Sequence, residues 1–256
     1  MKRRALFTTV ALLLVAGWAA ACGTEPSTWD RIANSGVLRV GLDPTYPPFE
    51  TAEGGPLRGF DVDLMQSIGN HLDLDIAFVY FGYDGLYDAL ATGQVDVLAS
   101  ALVIAPERTR DFAYTQSYFD AGERLVSRAA NPVTSPDEVA PGPLAVELGA
   151  TGHVVATGWE RQFPGLEVEP YETAKLAMDA VASGAARVAL VDGVTALLGA
   201  AGVKDYYIGP QPITEEPYAL VVRSEDRELL AQLDEALAHL DATQQLDLLR
   251  GRWLAP

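Results

Sequence analysis

Two stretches of this 256-residue chain, 91 residues apart, carry one pattern. Asp88-Ala89-Leu90-Ala91-Thr92-Gly93 leads into an apolar run at 95–98, and Asp179-Ala180-Val181-Ala182-Ser183-Gly184 leads into another at 187–191. An Ala-rich segment stopped by Gly and followed by a short β-branched run predicts a helix, a Gly C-cap and a buried strand. A chain that repeats this unit predicts two similar α/β halves. The same alternation recurs elsewhere: a strand at 37–42, a helix at 61–71 opened by an Asp cap, a strand at 75–81, a helix at 85–91 and a buried strand at 95–100. Strands separated by helices predict parallel sheets, and open parallel sheets bind ligands in a crevice beyond the carboxyl ends of their strands. Those ends offer Ser100 and Ala101 on one side and Asp192 on the other. Pro132, Pro136, Pro141 and Pro143 mark a loop or the entry to a second half.

Residues 1–21 stand apart from this fold. Lys2, Arg3 and Arg4 precede an apolar stretch at 5–17, and Ala19-Ala20-Ala21 supplies the small residues of a cleavage site, so a signal peptide is expected. Cys22, the sole cysteine, follows directly and resembles a bacterial lipobox, whose thiol is acylated to become a lipid anchor. Ala19 stands where lipoboxes usually carry Leu, which leaves ordinary secretion open; an uncleaved anchor is a third reading, disfavoured by the short apolar run. Residues 22–28, with Pro26, would form the tether. Loss of three positive charges with the signal takes the net charge from −17 to −20. Such acidity opposes nucleic acid and suits a small or cationic partner. One Cys and three scattered His (His71, His153, His239) supply no metal spacing, and no phosphate loop or nucleophile motif occurs, Gly54-Gly55 being a turn. Neither metal nor cofactor is expected.

Eight motifs in order carry a resemblance that spans about residues 29–254. They begin with Trp29-Asp30-Arg31-Ile32 running to Gly36-Val37-Leu38-Arg39-Val40-Gly41, then Asp43-Pro44-Thr45-Tyr46-Pro47-Pro48-Phe49-Glu50. Gly59-Phe60-Asp61-Val62-Asp63-Leu64, Tyr83-Asp84-Gly85-Leu86 and Pro106-Glu107-Arg108 with Phe112, Tyr114 and Tyr118-Phe119 follow. Gly149-Ala150-Thr151, Val191-Asp192 and the closing stretch 248–253 complete them. Together they resemble the polar amino-acid-binding proteins of ATP-driven (ABC) importers, solute-binding family 3. The resemblance implies a periplasmic-binding-protein type II fold, two α/β lobes joined by a two-strand hinge. Lobe 1 would comprise 29–121 plus 219–256 and lobe 2 122–218, with crossings near 120–124 and 216–219. It also implies a monomer on the outer face of the cell membrane, a small amino acid as ligand and a membrane permease as partner.

A free amino acid is a zwitterion, so its pocket needs a cation, an anion and a selective wall. Arg108 is the best cation, because a guanidinium holds a carboxylate bidentately, and the resemblance places it at the carboxylate clamp. A plainer reading pairs Arg108 with Glu107 or Asp111; Arg110 is read as solvated. Asp192 is where the family binds the ammonium, and it could also cap a helix starting at 193 or 194. Thr151 would offer a hydroxyl and N–H groups from lobe 2, unless the segment is a plain turn. Tyr46 and Tyr83 align with stacking positions, whereas Phe49, Tyr114, Tyr118 and Phe119 read as packing. Asp43 and Glu147 favour a cationic side chain (arginine, lysine, ornithine or histidine, with glutamine next), or are two solvent-facing acids. Where the family has Ser or Thr, this chain has Val103 and Ala105, so a hydroxyl contact is missing; backbone groups of Ala101 and Val103, with Ser100, remain. The rival readings are an exported cyclohexadienyl dehydratase on the same scaffold, with Glu147 as acid, and a sensory module.

Overall fold

The computed structural model describes residues 26–201, 203 and 205–254, so the signal segment and Cys22 lie outside the described residues. Part of the expected tether is already folded: Ser27 caps helix α1 (Thr28–Ser35). Its hydroxyl accepts from the Asp30 N–H at 3.1 Å while Asp30 accepts from the Ser27 N–H at 2.9 Å, a reciprocal capping box.

Two five-stranded sheets organise the chain. The first is built on β1 (Val37–Leu42), which pairs in parallel with β4 (Asp75–Tyr80) and β5 (Val97–Leu98). Between β1 and β4 lie a small hairpin, β2 (Thr45–Tyr46) with β3 (Glu50–Thr51), and helix α2 (Phe60–Leu72); α3 (Leu86–Ala91) leads into β5. The second sheet is built on β9 (Gly142–Glu147), parallel to β10 (Leu166–Tyr171) and β11 (Val188–Val191). Helices α4 (Thr151–Trp159), α5 (Ala174–Ser183) and α6 (Gly193–Ala200) connect and follow these strands.

The repeated unit is structural. β5 and β11 each pair with the first-built strand of their sheet, Val97 with Val40 and Val188 with Leu144, so Val97 and Val188 stand at matching places. The second unit ends in a Gly184 cap as expected; in the first the cap is Thr92, with Gly93 one residue beyond.

The strands of the alternating units are parallel as expected, and each sheet adds antiparallel members that the alternation does not predict. In the first, β14 (Val221–Arg223) is antiparallel to β5 and to β6 (Phe112–Tyr114); in the second, β8 (Arg124–Arg128) is antiparallel to β11 and to β12 (Tyr206–Ile208). The physical reason is the connection: a chain that crosses to the other sheet and returns needs no helical crossover, so it enters against the parallel trio. The crossings are β7 (Phe119–Asp120) and β13 (Pro217–Tyr218), which pair with each other. Helices α7 (Arg227–Ala242) and α8 (Gln245–Trp253) then return to the first half, where Leu229, Leu233, Leu237 and Leu240 are buried in its core with Ile32, Phe60 and Leu64. No described helix is long and apolar enough to cross a membrane.

Helix α2 corrects one expectation. Asp61 does not cap it; Gly59 occupies the cap at φ +147, where a Cβ would lie 2.0 Å from the Phe49 carbonyl oxygen. Asp61 is thereby turned inward and fully buried.

Candidate functional site

Nine of the ten side chains singled out in the sequence line two cavities. Asp43, Tyr46, Tyr83, Ser100, Ala101 and Val103 stand on the first, of about 360 Å³, at the carboxyl ends of β1 and β5. Glu147, Thr151 and Asp192 stand on the second, of about 240 Å³, at the ends of β9 and β11. The crossings join the two, with Tyr218 on the first and Glu123 and Glu216 on the second. Burial pushes the Tyr46 phenol up against the pull of a hydrogen bond with Tyr218, and the negative charges of Asp192, Glu50 and Glu216 add to the rise.

Arg108 stands apart. It ends a 3₁₀ turn (Pro106–Arg108), is exposed, and lays its guanidinium over the Tyr87 ring at 4.2 Å from the centroid. Neither Glu107 nor Asp111 pairs with it; Arg110 pairs with Asp111 at 3.6 Å, both exposed. A cation on a ring face is held by the ring quadrupole for about 0.5–1 kcal/mol at an exposed site, a small cost to release.

Asp192 caps α6, accepting from the Thr195 N–H at 2.8 Å, and also lines the second cavity. Asp43 accepts from the Thr45 hydroxyl and from the Tyr83 N–H, each at 2.8 Å, which fixes two wall segments of the first cavity. Tyr46 stacks on the buried Phe49 ring, 5.7 Å between centroids and 9° between planes. Among the packing residues, Tyr118 and Phe49 are fully buried.

Sequence reasoning missed the acids beneath and between these walls. The Asp43 N–H donates to Ser100 Oγ at 3.0 Å, and the Ser100 hydroxyl donates to Glu50 Oε1 at 2.7 Å. Asp61 Oδ2 accepts from the Ala101 N–H at 2.7 Å and the Tyr118 hydroxyl at 3.0 Å, which holds Ala101 at φ +46. Glu50 Oε2 and Asp61 Oδ1 are buried without other partners, and one proton between them satisfies both. Burial, then the Asp61 charge, pushes Glu50 up to about 10; burial raises Asp61 against the pull of the Ala101 N–H and Tyr118. The pair therefore keeps a proton at neutral pH.

A pH dependence follows. Glu50 has an ordinary value of 4.5 and a folded value of about 10, so across that window the native state binds the extra proton and stability falls as pH rises. The fall is up to about 1.4 kcal/mol per pH unit. Glu50→Gln keeps a donor toward Asp61 and is expected to flatten the decline of Tm between about pH 6 and 9. Equal slopes in both proteins would rule out the shared proton.

The two cavities together present six carboxyl groups, Asp43, Glu50, Glu123, Glu147, Asp192 and Glu216, and no Lys, Arg or His among the described lining residues. No group of three or more metal-ligating side chains converges among the described residues. What these walls can do is hold a positively charged polar molecule between aromatic rings and backbone N–H groups.

Comparison with known proteins agrees with this architecture. The family model for bacterial extracellular solute-binding proteins, family 3, matches residues 38–256. The chain is 25% identical over 258 residues to the L-cystine-binding protein TcyJ of Escherichia coli (strain K12), covering 99% of this chain and 96% of that one. It is 29% identical over 231 residues to an L-arginine-binding protein of Pseudomonas aeruginosa, covering 85% and 88%. Among solved structures, an ancestral cyclohexadienyl dehydratase superposes with a TM-score of 0.78 at 24% identity, over 91% of this chain and 98% of that one, a likeness of fold. The family model covers most of the chain, over both α/β halves and the double crossing between them: this chain belongs to the bacterial extracellular solute-binding proteins, family 3.

Proposed function

We propose that the protein captures a polar amino acid with a cationic side chain, arginine, lysine, ornithine or histidine, and delivers it to an ABC permease without bond chemistry. The observation that carries this reading is the wall charge, Asp43, Glu123, Glu147, Asp192 and Glu216 with no Lys, Arg or His among the described lining residues, Glu50 keeping its proton with Asp61. A desolvated cation needs such partners, and a neutral or acidic ligand would leave them unpaired. In this reading the lobes 29–121 plus 219–256 and 122–218 close about β7 and β13. Asp192 takes the α-ammonium, and Arg108, lifted from Tyr87, meets the carboxylate with the backbone of Ala101 and Val103 and with Thr151. The protein acts as a monomer outside the cytoplasmic membrane, anchored through lipidated Cys22. The L-arginine-binding relative supports this ligand class.

L-cystine is a second reading, favoured by the TcyJ relative; its two ammonium groups would meet the acids, while its two carboxylates make it neutral overall and call for more donors. The dehydratase reading needs a basic slot for a ring carboxylate besides Arg108, and the described residues of the two cavity walls supply no second one.

A thermal-shift panel of the amino acids with ornithine, citrulline, cystine and prephenate tests the reading, because a ligand that binds only the folded state raises Tm. Stabilisation by the cationic members supports it; a shift with prephenate alone, followed by turnover, would replace it with the enzyme. Arg108→Ala is expected to weaken the stabilising amino acid by about 30-fold or more, the cost of a buried carboxylate losing its cation. Unchanged affinity by calorimetry would remove Arg108 from the site.

A further inference from the structure

The start of a helix ordinarily welcomes an anion, because its first N–H groups are unpaired. At the start of α4 that place is already taken. Glu123 Oε1 accepts from the Gly152 N–H at 3.0 Å, and a Cβ on Gly152 would stand 2.7 Å from both Oε2 and the Leu190 carbonyl oxygen, so only glycine fits beneath the carboxylate. Glu123 is 4% exposed, Oε2 has no partner, and the side chain lines the second cavity. Facing it are Glu147 from the end of β9, Asp192 at the cap of α6 and Glu216 beside β13, with no Lys, Arg or His among the described residues of the wall. This cavity lacks a cation rather than an anion.

We propose that Glu123 and Glu216, with Glu147, form a subsite for the side-chain cation of the ligand, and that Glu123 is the residue that selects charge there. The proposal rests on the reading that the cleft takes a cationic amino acid. It assigns the side-chain charge to the second cavity, whereas Asp43, already holding Thr45 and Tyr83, organises the first.

The position of these acids gives the subsite a second consequence. Both lie on the crossing segments, which are tightly tied: the Ala121 N–H donates to the Glu216 carbonyl at 3.0 Å, the Glu216 N–H to Asp120 Oδ1 at 2.9 Å and the Glu123 N–H to Thr214 Oγ1 at 2.9 Å. A cation between Glu123 and Glu216 therefore sits at the place where the two halves join.

Burial pushes Glu123 up to about 7, with Asp192, Glu216 and Glu147 adding to the rise and the Gly152 N–H opposing it. An arriving cation favours the charged form and displaces that proton, so affinity for a cationic ligand rises with pH through this range.

The test is calorimetry of the wild-type protein and Glu123→Gln with L-arginine and with L-citrulline, its uncharged near-isostere, at several values between about pH 6 and 8. Gln keeps an acceptor for the Gly152 N–H, so α4 stays capped. The wild type is expected to prefer arginine, with affinity rising with pH; Glu123→Gln is expected to lower the arginine-to-citrulline ratio by about tenfold or more and to flatten the pH profile. Glu216→Gln, read for the same ratio, serves if Glu123→Gln does not fold. An unchanged ratio and profile, or wild-type protein that binds both amino acids equally, would overturn the subsite. Wild-type protein that binds cystine and neither of these two would overturn the cationic reading itself, and the subsite with it.

Discussion

Asp192→Ala is expected to lower affinity for the captured amino acid by about 30-fold to several thousand-fold, corresponding to about 2–5 kcal/mol for one partner of a desolvated, hydrogen-bonded charge pair. The carboxylate does two jobs with one geometry. Its Oδ1 caps α6 through the Thr195 N–H, and the cap fixes the group at the end of β11, on the wall of the second cavity. Losing the cap costs about 1 kcal/mol of stability. Asp192→Ser separates the two roles, since Ser also caps a helix but brings no charge. It is expected to restore Tm and to leave binding as weak as in Asp192→Ala. A Ser variant with wild-type affinity by calorimetry would reduce Asp192 to a cap.

The second large effect concerns stability. Asp61→Ala is expected to cost about 3–5 kcal/mol, because it removes a buried acceptor and leaves its partners unpaired. The Ala101 N–H and the Tyr118 hydroxyl lose their acceptor, and Glu50 loses the group with which it shares a proton. For a chain of this size the corresponding fall in Tm is on the order of 10 °C. The damage should reach the cavity as well, since Ala101 at φ +46 is held by that bond and Glu50 is joined through Ser100 to Asp43. A change in Tm below about 2 °C by scanning calorimetry would show that the buried pair is not a structural support.

The strand ends were legible because burial and alternation leave a pattern. Ser100 and Asp192 follow apolar runs that are buried strands, and the repeated helix-to-strand unit located both at once. The antiparallel members of each sheet were not legible as such, since β6, β8, β12 and β14 acquire their direction from the double crossing, which local periodicity does not encode. The acids of the site divide in the same way. Glu147 ends one strand and Asp192 follows another; Glu50, Glu123 and Glu216 are acids among many in an acidic chain, and only long-range packing buries or faces them. A usable signal existed for two of them: Glu123 and Glu216 lie in the segments where the chain was expected to cross, and a crossing strand forms the floor of the cleft it spans. Where the Arg108 side chain lies was not legible. Its place eight residues beyond Ser100 fixes neither the 3₁₀ turn nor the attraction of the Tyr87 ring.

The central claim is that a positively charged amino acid is held between the two acid-lined cavities. A crystal structure of the protein grown with L-arginine or L-ornithine tests it most directly. The account predicts the ligand between the strand ends of the two sheets, its α-ammonium at hydrogen-bond distance from Asp192, its side-chain nitrogen against Glu123 or Glu216 and its carboxylate facing Arg108. A ligand carboxylate found against Glu123 and Glu216, or a cleft left empty at saturating amino acid, would contradict it.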